Sequence, residues 1–228
     1  HPTLSQNITI DSVSTVSAGP NNDGCDPESC TDVLIKNCFF ATGDDCIAIK
    51  SGRNEDGRRV NVPAKNIIIE DCHMQDGHGG VVIGSEASGG AEDIYAQNCI
   101  MNSPNLDRAI RIKSNACRGG VMRRFYFRDI KVGQVHEAVV KINMFYGKEN
   151  ESDCNYIPTL DSVFINNVTS KNSRYALNLK GREGKPVTHI FIDNCSFENV
   201  KLPNEINNIQ NLNIQNTTIN GKKVSAEK

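Results

Sequence analysis

The sequence is poor in large aromatic and sulfur-containing apolar residues. It contains no tryptophan and only four methionines, and its aromatic content is 6%. No apolar run approaches the roughly 18 residues of a membrane span, and no segment has the pattern of a signal peptide. These absences argue against a membrane-spanning helix within the sequence. Its 228 residues are enough to bury one good core, so we predict a single domain over residues 1–228.

The sequence also lacks a dominant charge. Its 25 basic and 27 acidic residues give a formal net charge of −2, which offers no reason to expect a nucleic acid or a membrane as partner. The distribution is uneven, because the stretch from Arg108 to Lys131 holds eight basic residues and one acid, Asp129. This stretch either meets an acidic ligand or forms a dispersed charged surface.

Long helical patterns are missing, and a repeated strand pattern takes their place. Eight short apolar runs begin at intervals of 22 to 38 residues. Each run is followed by a polar residue of the Asn, Asp or Ser type and then by a mostly apolar residue. The runs open at Ile8, Val33, Ile67, Ile94, Phe125, Val163, Ile190 and Leu212. The polar positions are Ser12, Asn37, Asp71, Asn98, Asp129, Asn167, Asn194 and Asn216, and the next are Val13, Cys38, Cys72, Cys99, Ile130, Val168, Cys195 and Thr217.

Such a unit describes one coil of a solenoid. An apolar strand, a turn residue whose side chain satisfies its own backbone, an inward residue and a second strand are typical of a parallel β-helix. Successive coils stack at the spacing of paired strands, so equivalent residues form ladders. The sequence therefore predicts an all-β parallel β-helix of about eight coils.

The nine cysteines are interpreted with this repeat. The four in the inward column, Cys38, Cys72, Cys99 and Cys195, are expected to be buried thiols that pack as small apolar groups. Cys25 and Cys30 lie outside the column and are the best disulfide candidates. Cys46, Cys117 and Cys154 stay unassigned, and the odd total leaves at least one thiol unpaired within the chain.

The strand that follows Gly43 carries two adjacent acids. Asp44 and Asp45 precede the alternating run Cys46 to Lys50, so we expect both acids at a strand edge that faces solvent. Similar runs end near Ile83, Ile112 and Ile142. Aligning these isoleucines with Ile49 predicts one column that collects Asp44, His78, Asp107 and Glu137.

Four short motifs fall on successive coils. Each has an ordinary structural interpretation, since Asp-Gly pairs form turns and charged pairs are usually solvated. Stacked together they bring three carboxylates, an imidazole and two cations into one patch, which suits acid and base chemistry on an acidic sugar. The motifs are Asn21-Asn22-Asp23-Gly24, Gly43-Asp44-Asp45, Gly77-His78-Gly79 and Arg111-Ile112-Lys113.

The order of these motifs resembles glycoside hydrolase family 28, the polygalacturonases. The family's signatures are Asn-Thr-Asp, Gly-Asp-Asp, Gly-His-Gly and Arg-Ile-Lys on a right-handed parallel β-helix. The resemblance covers residues from about 7 to 220. The sequence departs from the family at Asn22, which replaces the usual threonine, while Asp23 is retained.

The resemblance implies a role for each matching residue. Asp44 would be the general acid, Asp23 and Asp45 would hold and deprotonate the attacking water in an inverting displacement, and His78 would support the acid. Arg111 and Lys113 would bind a galacturonate carboxylate, and Tyr146 resembles a substrate-contacting tyrosine of the family. No cofactor or metal ion is implied.

Two variable loops are expected to form substrate walls. The longest runs from Ser51 to Pro63 and carries Arg53, Arg58 and Arg59, and a second runs from Asn143 to Pro158. Within the family, the first loop and the Gly84 to Glu86 run resemble bacterial exo-acting members. An exo enzyme needs a wall beyond the terminal sugar, and an arginine-bearing loop could supply it.

Three further expectations complete the interpretation. The partner would be polygalacturonate or a pectic oligosaccharide, and the location would be secreted or periplasmic. A β-helix pectate lyase, which depends on Ca²⁺, and a noncatalytic pectin-binding β-helix remain as alternatives. Because family members are usually longer, we expect the chain to be the C-terminal part of a longer enzyme without its N-terminal coils and cap. An uncapped first coil would favour self-association.

Overall fold

The computed structural model describes residues 1–147 and 154–225. The chain winds into a right-handed parallel β-helix with three walls, which we call A, B and C. Residues 148–153 of the predicted second loop and residues 226–228 lie outside the described residues. No helix in the described part is long and apolar enough to cross a membrane.

Wall A contains the eight runs that the sequence predicts. Its strands are β1 (Gln6–Asp11), β3 (Thr31–Lys36), β6 (Ala64–Glu70), β9 (Ala91–Gln97), β12 (Val121–Gln134), β14 (Thr159–Asn172), β16 (Val187–Asp193) and β19 (Ile209–Gln215). All neighbours in this order pair in parallel. The predicted register is confirmed, because each opening residue from Ile8 to Leu212 pairs with the next.

Walls B and C complete each coil. Wall B holds β2 (Ser14–Ser17), β4 (Phe39–Thr42), β7 (His73–Met74), β10 (Ile100–Met101), the second halves of β12 and β14, β17 (Ser196–Phe197), β20 (Thr217–Ile219) and the antiparallel β21 (Lys222–Val224). Wall C holds β5 (Asp45–Ile49), β8 (Gly79–Gly84), β11 (Arg108–Lys113), β13 (Ala138–Asn143), β15 (Tyr175–Lys180) and β18 (Glu205–Asn207). Wall C positions the motif residues.

The polar turn column has a common backbone conformation. All eight residues from Ser12 to Asn216 have φ between 46° and 57°, the left-handed region that Asn, Asp and Ser tolerate through local hydrogen bonds. Side chains also join adjacent coils, as Asn167 Nδ2 donates to Asp129 Oδ1 at 2.6 Å. The column therefore forms the A to B corner of every coil.

A second left-handed column precedes the opening residues and was not predicted. Its members also have positive φ, including Arg124 at 59° and His189 at 55°. Arg124 is held by Asp93 and Glu92 of the preceding coil. The column marks the turn into wall A and comprises Asn7, Asp32, Asn66, Asp93, Arg124, Ser162, His189 and Asn211.

Ladders of like residues fill and cover the helix. Inside, the isoleucines and valines of the three walls are buried, and the four column cysteines are at most 2% exposed, as predicted. Outside wall A, the rings of Tyr95, Tyr126, Phe164 and Phe191 stack with centroids 4.8 to 5.0 Å apart. This regular spacing reflects the strand separation.

The disulfide prediction for Cys25 and Cys30 is wrong. Both thiols are free and buried, because the stretch that carries them runs alongside β5 and turns them into the core. The Cys30 thiol donates to the carbonyl oxygen of Glu28, and burial raises the pKa of the Cys25 thiol to about 12. The disulfide joins Cys117 to Cys154, which lie in loops beyond wall C, and Cys46 is another buried free thiol.

The loop from Ser51 to Pro63 contains a short helix, α1 (Asn54–Val60), although the sequence pattern predicted strands and turns. Acidic Glu55 and Asp56 lie in its first turn and basic Arg58 and Arg59 in its last turn, an arrangement that complements the helix dipole. Asn61 ends the helix with φ 52°, as is common at helix C-termini.

Candidate active site

The acid column of wall C is formed as predicted. Ile49 pairs with Ile83, Ile83 with Ile112, and Ile112 with Ile142. This register aligns Asp44, His78, Asp107 and Glu137 on consecutive coils. Residues 24–29 add a further extended layer beside β5, because Cys25 bridges Ile47 and Glu28 bridges Lys50. That layer brings Asp23 beside Asp45.

Three carboxylates meet at the start of β5. One oxygen from each of Asp23, Asp44 and Asp45 lies within 4.8 Å of the other two. The backbone N–H of Asp45 donates to Asp23 Oδ1 at 3.0 Å, which fixes the side chain of Asp23 against the strand. The carboxylates therefore form one compact cluster drawn from two adjacent coils.

Asp45 differs from the predicted solvent-facing acid. It is 2% exposed, because side chains from a strand two coils away cover it. Arg111 donates to its Oδ1 at 2.9 Å and Lys113 donates to its Oδ2 at 2.6 Å. Both carboxylate oxygens of Asp45 are thus bound by cations, while Asp44 stays open to the cavity.

His78 contacts Asp44 through both its ring and its backbone. Its Nδ1 lies 2.9 Å from Asp44 Oδ1, and its backbone N–H donates to the Asp44 carbonyl at 2.8 Å. The flanking glycines allow this contact. Gly77 has φ 138°, and a Cβ there would lie 2.3 Å from the Asp44 carbonyl oxygen. A Cβ on Gly79 would lie 3.3 Å from the side chain of Arg111 and 2.4 Å from that of Val82.

Asp23 has cationic support of its own. Lys50 Nζ donates to Asp23 Oδ2 and to Asp26 Oδ2, both at 2.8 Å. Burial opposes the ionisation of Asp23, but the hydrogen bond and charge of Lys50 outweigh it, so the pKa of Asp23 is lowered. Burial raises the pKa of Asp26 to about 6, so Asp26 is the carboxyl of this pair that keeps its proton longer as the pH rises.

The three clustered carboxylates line a cavity of about 660 Å³ together with Asp26, Lys50 and Lys113. Tyr146 lies on its wall, with its ring centroid 4.8 Å from Lys113 Nζ and 5.2 Å from the guanidinium carbon of Arg111. Of the three arginines in the first loop, Arg53 lines the cavity. Its guanidinium lies 3.7 Å from Glu86 Oε1.

The structure does not bring Arg58 and Arg59 to the cavity. Arg58 donates to the carbonyl oxygens of Cys117 and Arg118 and lies 3.5 Å from the centroid of the Tyr156 ring. Arg59 is exposed and pairs with Asp56 at 2.7 Å. Their contacts hold the loop together, and Arg58 in particular joins α1 to the segment that carries the disulfide.

Several cavity residues were missed by the sequence analysis. Asp26, Lys50, Glu86 and Arg118 all line the cavity, and Arg118 NH1 donates to Asn54 Oδ1 at 2.5 Å. The alignment contains a signal for Lys50, since it occupies the same column as Lys113. Arg118 lies in a loop outside the repeat, and its signal is its place in the basic stretch from Arg108 to Lys131.

The basic stretch from Arg108 to Lys131 divides between two environments. Arg111, Lys113 and Arg118 reach the acid cluster or its cavity. Arg123 and Arg124 instead pair with Glu92 and Asp93 of the preceding coil. The first group is therefore placed to meet an acidic ligand at the acid cluster.

Comparison with known proteins agrees with this geometry. The family model for glycosyl hydrolases family 28 matches residues 3–223. The chain is 32% identical over 202 residues to a probable polygalacturonase from Vitis vinifera, covering 86% of this chain and 40% of that protein. It is 26% identical over 229 aligned positions to an exo-poly-alpha-D-galacturonosidase from Dickeya chrysanthemi, covering 94% and 36%.

Solved structures give the same result. The crystal structure of a hyperthermoactive exopolygalacturonase from Thermotoga maritima superposes with a TM-score of 0.93 and 41% identity, over 97% of this chain and 49% of that chain. A family 28 exopolygalacturonase from Yersinia enterocolitica shares the fold, with a TM-score of 0.84 and 23% identity over 97% and 40%. The chain thus spans half or less of the length of these relatives. It belongs to family 28 of the glycosyl hydrolases.

Proposed function

We propose that the chain carries the catalytic site of a glycoside hydrolase that cleaves α-1,4-galacturonosidic bonds of polygalacturonate by an inverting acid/base mechanism. The observation that carries the proposal is the cluster of three carboxylates within 4.8 Å, flanked by His78 on one side and by Arg111 and Lys113 on the other. Family membership and the names of the relatives support this choice.

Asp44 is the general acid of the proposed reaction. It lies on the cavity and has a hydrogen-bond partner that can share a proton, His78 Nδ1 at 2.9 Å. A positioned carboxylic acid protonates the oxygen of the leaving sugar as the glycosidic bond breaks. The neighbouring carboxylates, Asp23 and Asp45, are each bound to cations and are suited to the ionised form.

Asp23 and Asp45 hold and activate the attacking water. Both oxygens of Asp45 accept hydrogen bonds from cations, and Asp23 accepts bonds from the Asp45 backbone and Lys50. Each of these oxygens has one donor and keeps a further lone pair that can accept a hydrogen bond from water. In inverting enzymes with two catalytic carboxylates, the carboxyl groups lie about 6.5–9.5 Å apart. The oxygens of Asp23, Asp44 and Asp45 lie closer, within 4.8 Å of one another. The proposed inversion therefore depends on both Asp23 and Asp45 holding the water while Asp44 acts as the acid.

Arg111, Lys113 and Tyr146 form the proposed binding site for a galacturonate unit. Arg111 and Lys113 supply the positive charge that a sugar carboxylate needs, and the ring of Tyr146 lies within 5.2 Å of both cationic groups. Arg53 adds a charge on the α1 side of the cavity. A direct substrate contact by Arg58 or Arg59 stays a prediction, because their side chains contact the loop and the segment around Cys117.

The loop that carries α1 supports exo action. Its Asn54 binds Arg118, and Arg58 ties it to the loop near Cys117, which the disulfide links to Cys154. These contacts build a wall beside the ends of β5, β8 and β11. A wall of this kind, with Arg53 and Arg118 on the cavity, can stop the chain end of an acidic polymer and bind its terminal sugar.

Hydrolysis fits the cluster better than β-elimination. A lyase of this substrate uses Ca²⁺ to neutralise the uronate and a basic residue to remove a proton. Here Asp45 is neutralised by Arg111 and Lys113, and Asp23 by Lys50. The charge that a divalent ion would supply to these two carboxylates is thus supplied by side chains. A noncatalytic pectin-binding β-helix would not need the acid cluster.

Product analysis on polygalacturonate in the presence of EDTA tests the proposal. We expect saturated galacturonate monomer or dimer from the first time points with slow loss of viscosity, because an exo hydrolase removes terminal units. Proton NMR of the first product should show the β-anomer, since inversion changes the α configuration of the substrate. EDTA should leave the rate unchanged.

Three results would contradict this function in different ways. Unsaturated products that require metal would assign the chain to the lyases. An α-anomer as the first product would overturn inversion, and rapid loss of viscosity with long fragments would overturn exo action. Absence of product with retained binding of oligogalacturonate would favour a noncatalytic module.

We also propose that the protein acts on pectic substrates in a secreted or periplasmic location, with neither nucleic acid nor membrane as a partner.

We further propose that the first coil mediates self-association. Among the described residues, β1 pairs only with β3 and β2 only with β4. Val16, on β2, is 76% exposed. Open strand edges with apolar side chains pair readily with other chains.

Substitution Val16→Lys tests the association. Sedimentation velocity should show a concentration-dependent shift to larger species for the unsubstituted chain, and this shift should weaken in the variant because a charged edge resists pairing. Val121→Lys is a matched control, since Val121 is 50% exposed on β12, which has neighbours on both sides. A chain that stays monomeric up to high concentration would refute the proposal.

A further inference from the structure

Lys50 follows β5 directly and is fixed by its backbone. Its N–H donates to the carbonyl of Pro27 at 3.0 Å, and its carbonyl accepts from the N–H of Ser29 at 2.9 Å. Glu28 bridges it in the adjacent layer. These bonds leave the side chain little choice of direction, and it extends over the layer that carries Asp23 and Asp26.

The ammonium group of Lys50 is shared between two carboxylates. Nζ lies 2.8 Å from Asp23 Oδ2 and 2.8 Å from Asp26 Oδ2. The side chains are 16%, 15% and 13% exposed for Lys50, Asp23 and Asp26, so solvent screens the contacts weakly. The second oxygen of Asp23 is held by the Asp45 N–H. Both oxygens of Asp23 therefore have a fixed donor.

We propose that Lys50 is a positioning residue of the reaction, whose ammonium group, anchored by Asp26, keeps Asp23 ionised and oriented toward Asp45 so that the two can activate water. The inference rests on the proposed function. The task of Lys50 differs from that of Arg111 and Lys113. These two cations bind Asp45 and face the sugar in the proposed reaction.

Electrostatics gives the reason. Asp23 lies among Asp26, Asp44 and Asp45, and a carboxylate near other carboxylates is hard to ionise. A cation in direct contact lowers a carboxyl pKa by about 1 to 3, and the lowered pKa of Asp23 agrees with this direction. Asp26 serves as the anchor. Its pKa is raised to about 6 by burial, so in mildly acidic solution it holds the ammonium without adding a full negative charge.

Other charged groups face the same cavity and also affect a pH profile. Lys113 and Arg111 bind Asp45, and Arg53 lies near Glu86. Arg118 contacts Asn54 and Ser85, and His78 contacts Asp44. None of these pairs includes Asp23. The thiols of Cys25 and Cys46 lie behind it, and burial raises the pKa of each to about 12, so neither titrates in the acidic range.

The experiment compares Lys50→Met, Lys50→Arg and a matched control. Lys180→Met is the control. Lys180 lies in the same wall C column as Lys50, because strand pairing aligns Lys113 with Asn143 and Asn143 with Lys180. Like Lys50, it binds a carboxylate, that of Glu205. The first measurement is carbon NMR titration of the aspartate carboxyls, with Asp23 assigned from an Asp23→Asn spectrum. The second is the pH dependence of kcat and KM on a short oligogalacturonate.

We expect Asp23 to titrate at a pH higher by about 1 or more in Lys50→Met, and Lys50→Arg to recover most of the difference. The acidic limb of kcat should move upward with it, because the base is lost at a higher pH. Below that limb kcat should fall about tenfold for every pH unit that the limb moves, while KM changes less than about twofold. Lys180→Met should change neither measurement.

Several outcomes would overturn the inference. An unchanged titration of Asp23 would do so, as would a rise in KM with unchanged kcat, which would make Lys50 a substrate-binding residue. If Lys50→Met fails to fold, Lys50→Gln decides, because its amide can still donate to Asp23 but carries no charge, and the proposal requires that Asp23 then titrate at a higher pH than in the wild type. A wild-type chain without hydrolytic product would refute the proposed function alone, since the Asp23 titration does not depend on turnover.

Discussion

Substitution Asp44→Asn is expected to lower kcat on polygalacturonate by about 10² to 10⁴-fold, with the fold intact. General acid catalysis contributes an effect of this size, and the amide cannot deliver a proton to the leaving oxygen. The asparagine side chain can keep the contact with His78 Nδ1, which lies 2.9 Å from Asp44 Oδ1. Substrate binding through Arg111 and Lys113 should persist, so KM should change little.

Steady-state assays and circular dichroism check this prediction against a matched variant. Asp71→Asn is the control, because Asp71 is exposed in the left-handed turn column, where asparagine already occupies most positions. That variant should keep full activity. If Asp44→Asn retained the wild-type rate, Asp44 would not be the general acid and a lyase would be indicated. If neither protein showed turnover and both bound substrate with the same affinity, a binding module would be indicated.

Substitution Asp45→Asn is expected to damage both activity and stability. Asp45 is 2% exposed and neutralises Arg111 and Lys113, which are themselves 8% and 6% exposed. Removing one partner of a buried ion pair costs about 3–5 kcal/mol, because the remaining charge stays buried without compensation. Turnover should also fall, since the water would lose one of its two carboxylates.

Urea denaturation of wild type and variant measures the stability change. Asp56→Asn is the comparison, since Asp56 forms an exposed pair with Arg59 and exposed pairs contribute little. Its denaturation midpoint should match that of the wild type within error. If the midpoint of Asp45→Asn also matched that of the wild type, the ion pairs of Asp45 with Arg111 and Lys113 would not stabilise the fold. The explanation of the burial of Asp45 by these two cations would then be wrong.

The ladder registers could be predicted from sequence because each coil repeats a physical requirement. The run that opens at Ile8 and the one that opens at Leu212 both need an apolar strand followed by a residue that accepts φ near 50°. The acid column followed from the same alignment. The second left-handed column carried a similar signal, but Arg124 interrupts it with a residue type that rarely adopts this conformation.

Features outside the repeat could not be predicted in this way. Cys117 and Cys154 lie in loops with no periodic neighbour, so nothing in the sequence favoured their pairing over that of Cys25 and Cys30. The burial of Asp45 depends on Arg111 and Lys113 from a strand two coils away. The motifs placed these residues near one another but did not show that the cations would cover the acid.

The same register implies that the site in this molecule is complete only after several coils have stacked. Asp23, Asp44, His78, Arg111 and Tyr146 span 124 residues of sequence yet lie in or beside one cavity, on five successive turns of the solenoid. No pair of neighbouring coils contains the complete site. Non-local assembly of this kind is slow compared with local structure formation, so a nascent or partly unravelled chain that lacks any one of these five coils would have no competent site. Activity is therefore a stringent reporter of uninterrupted stacking from the coil of β1 to the coil of β13.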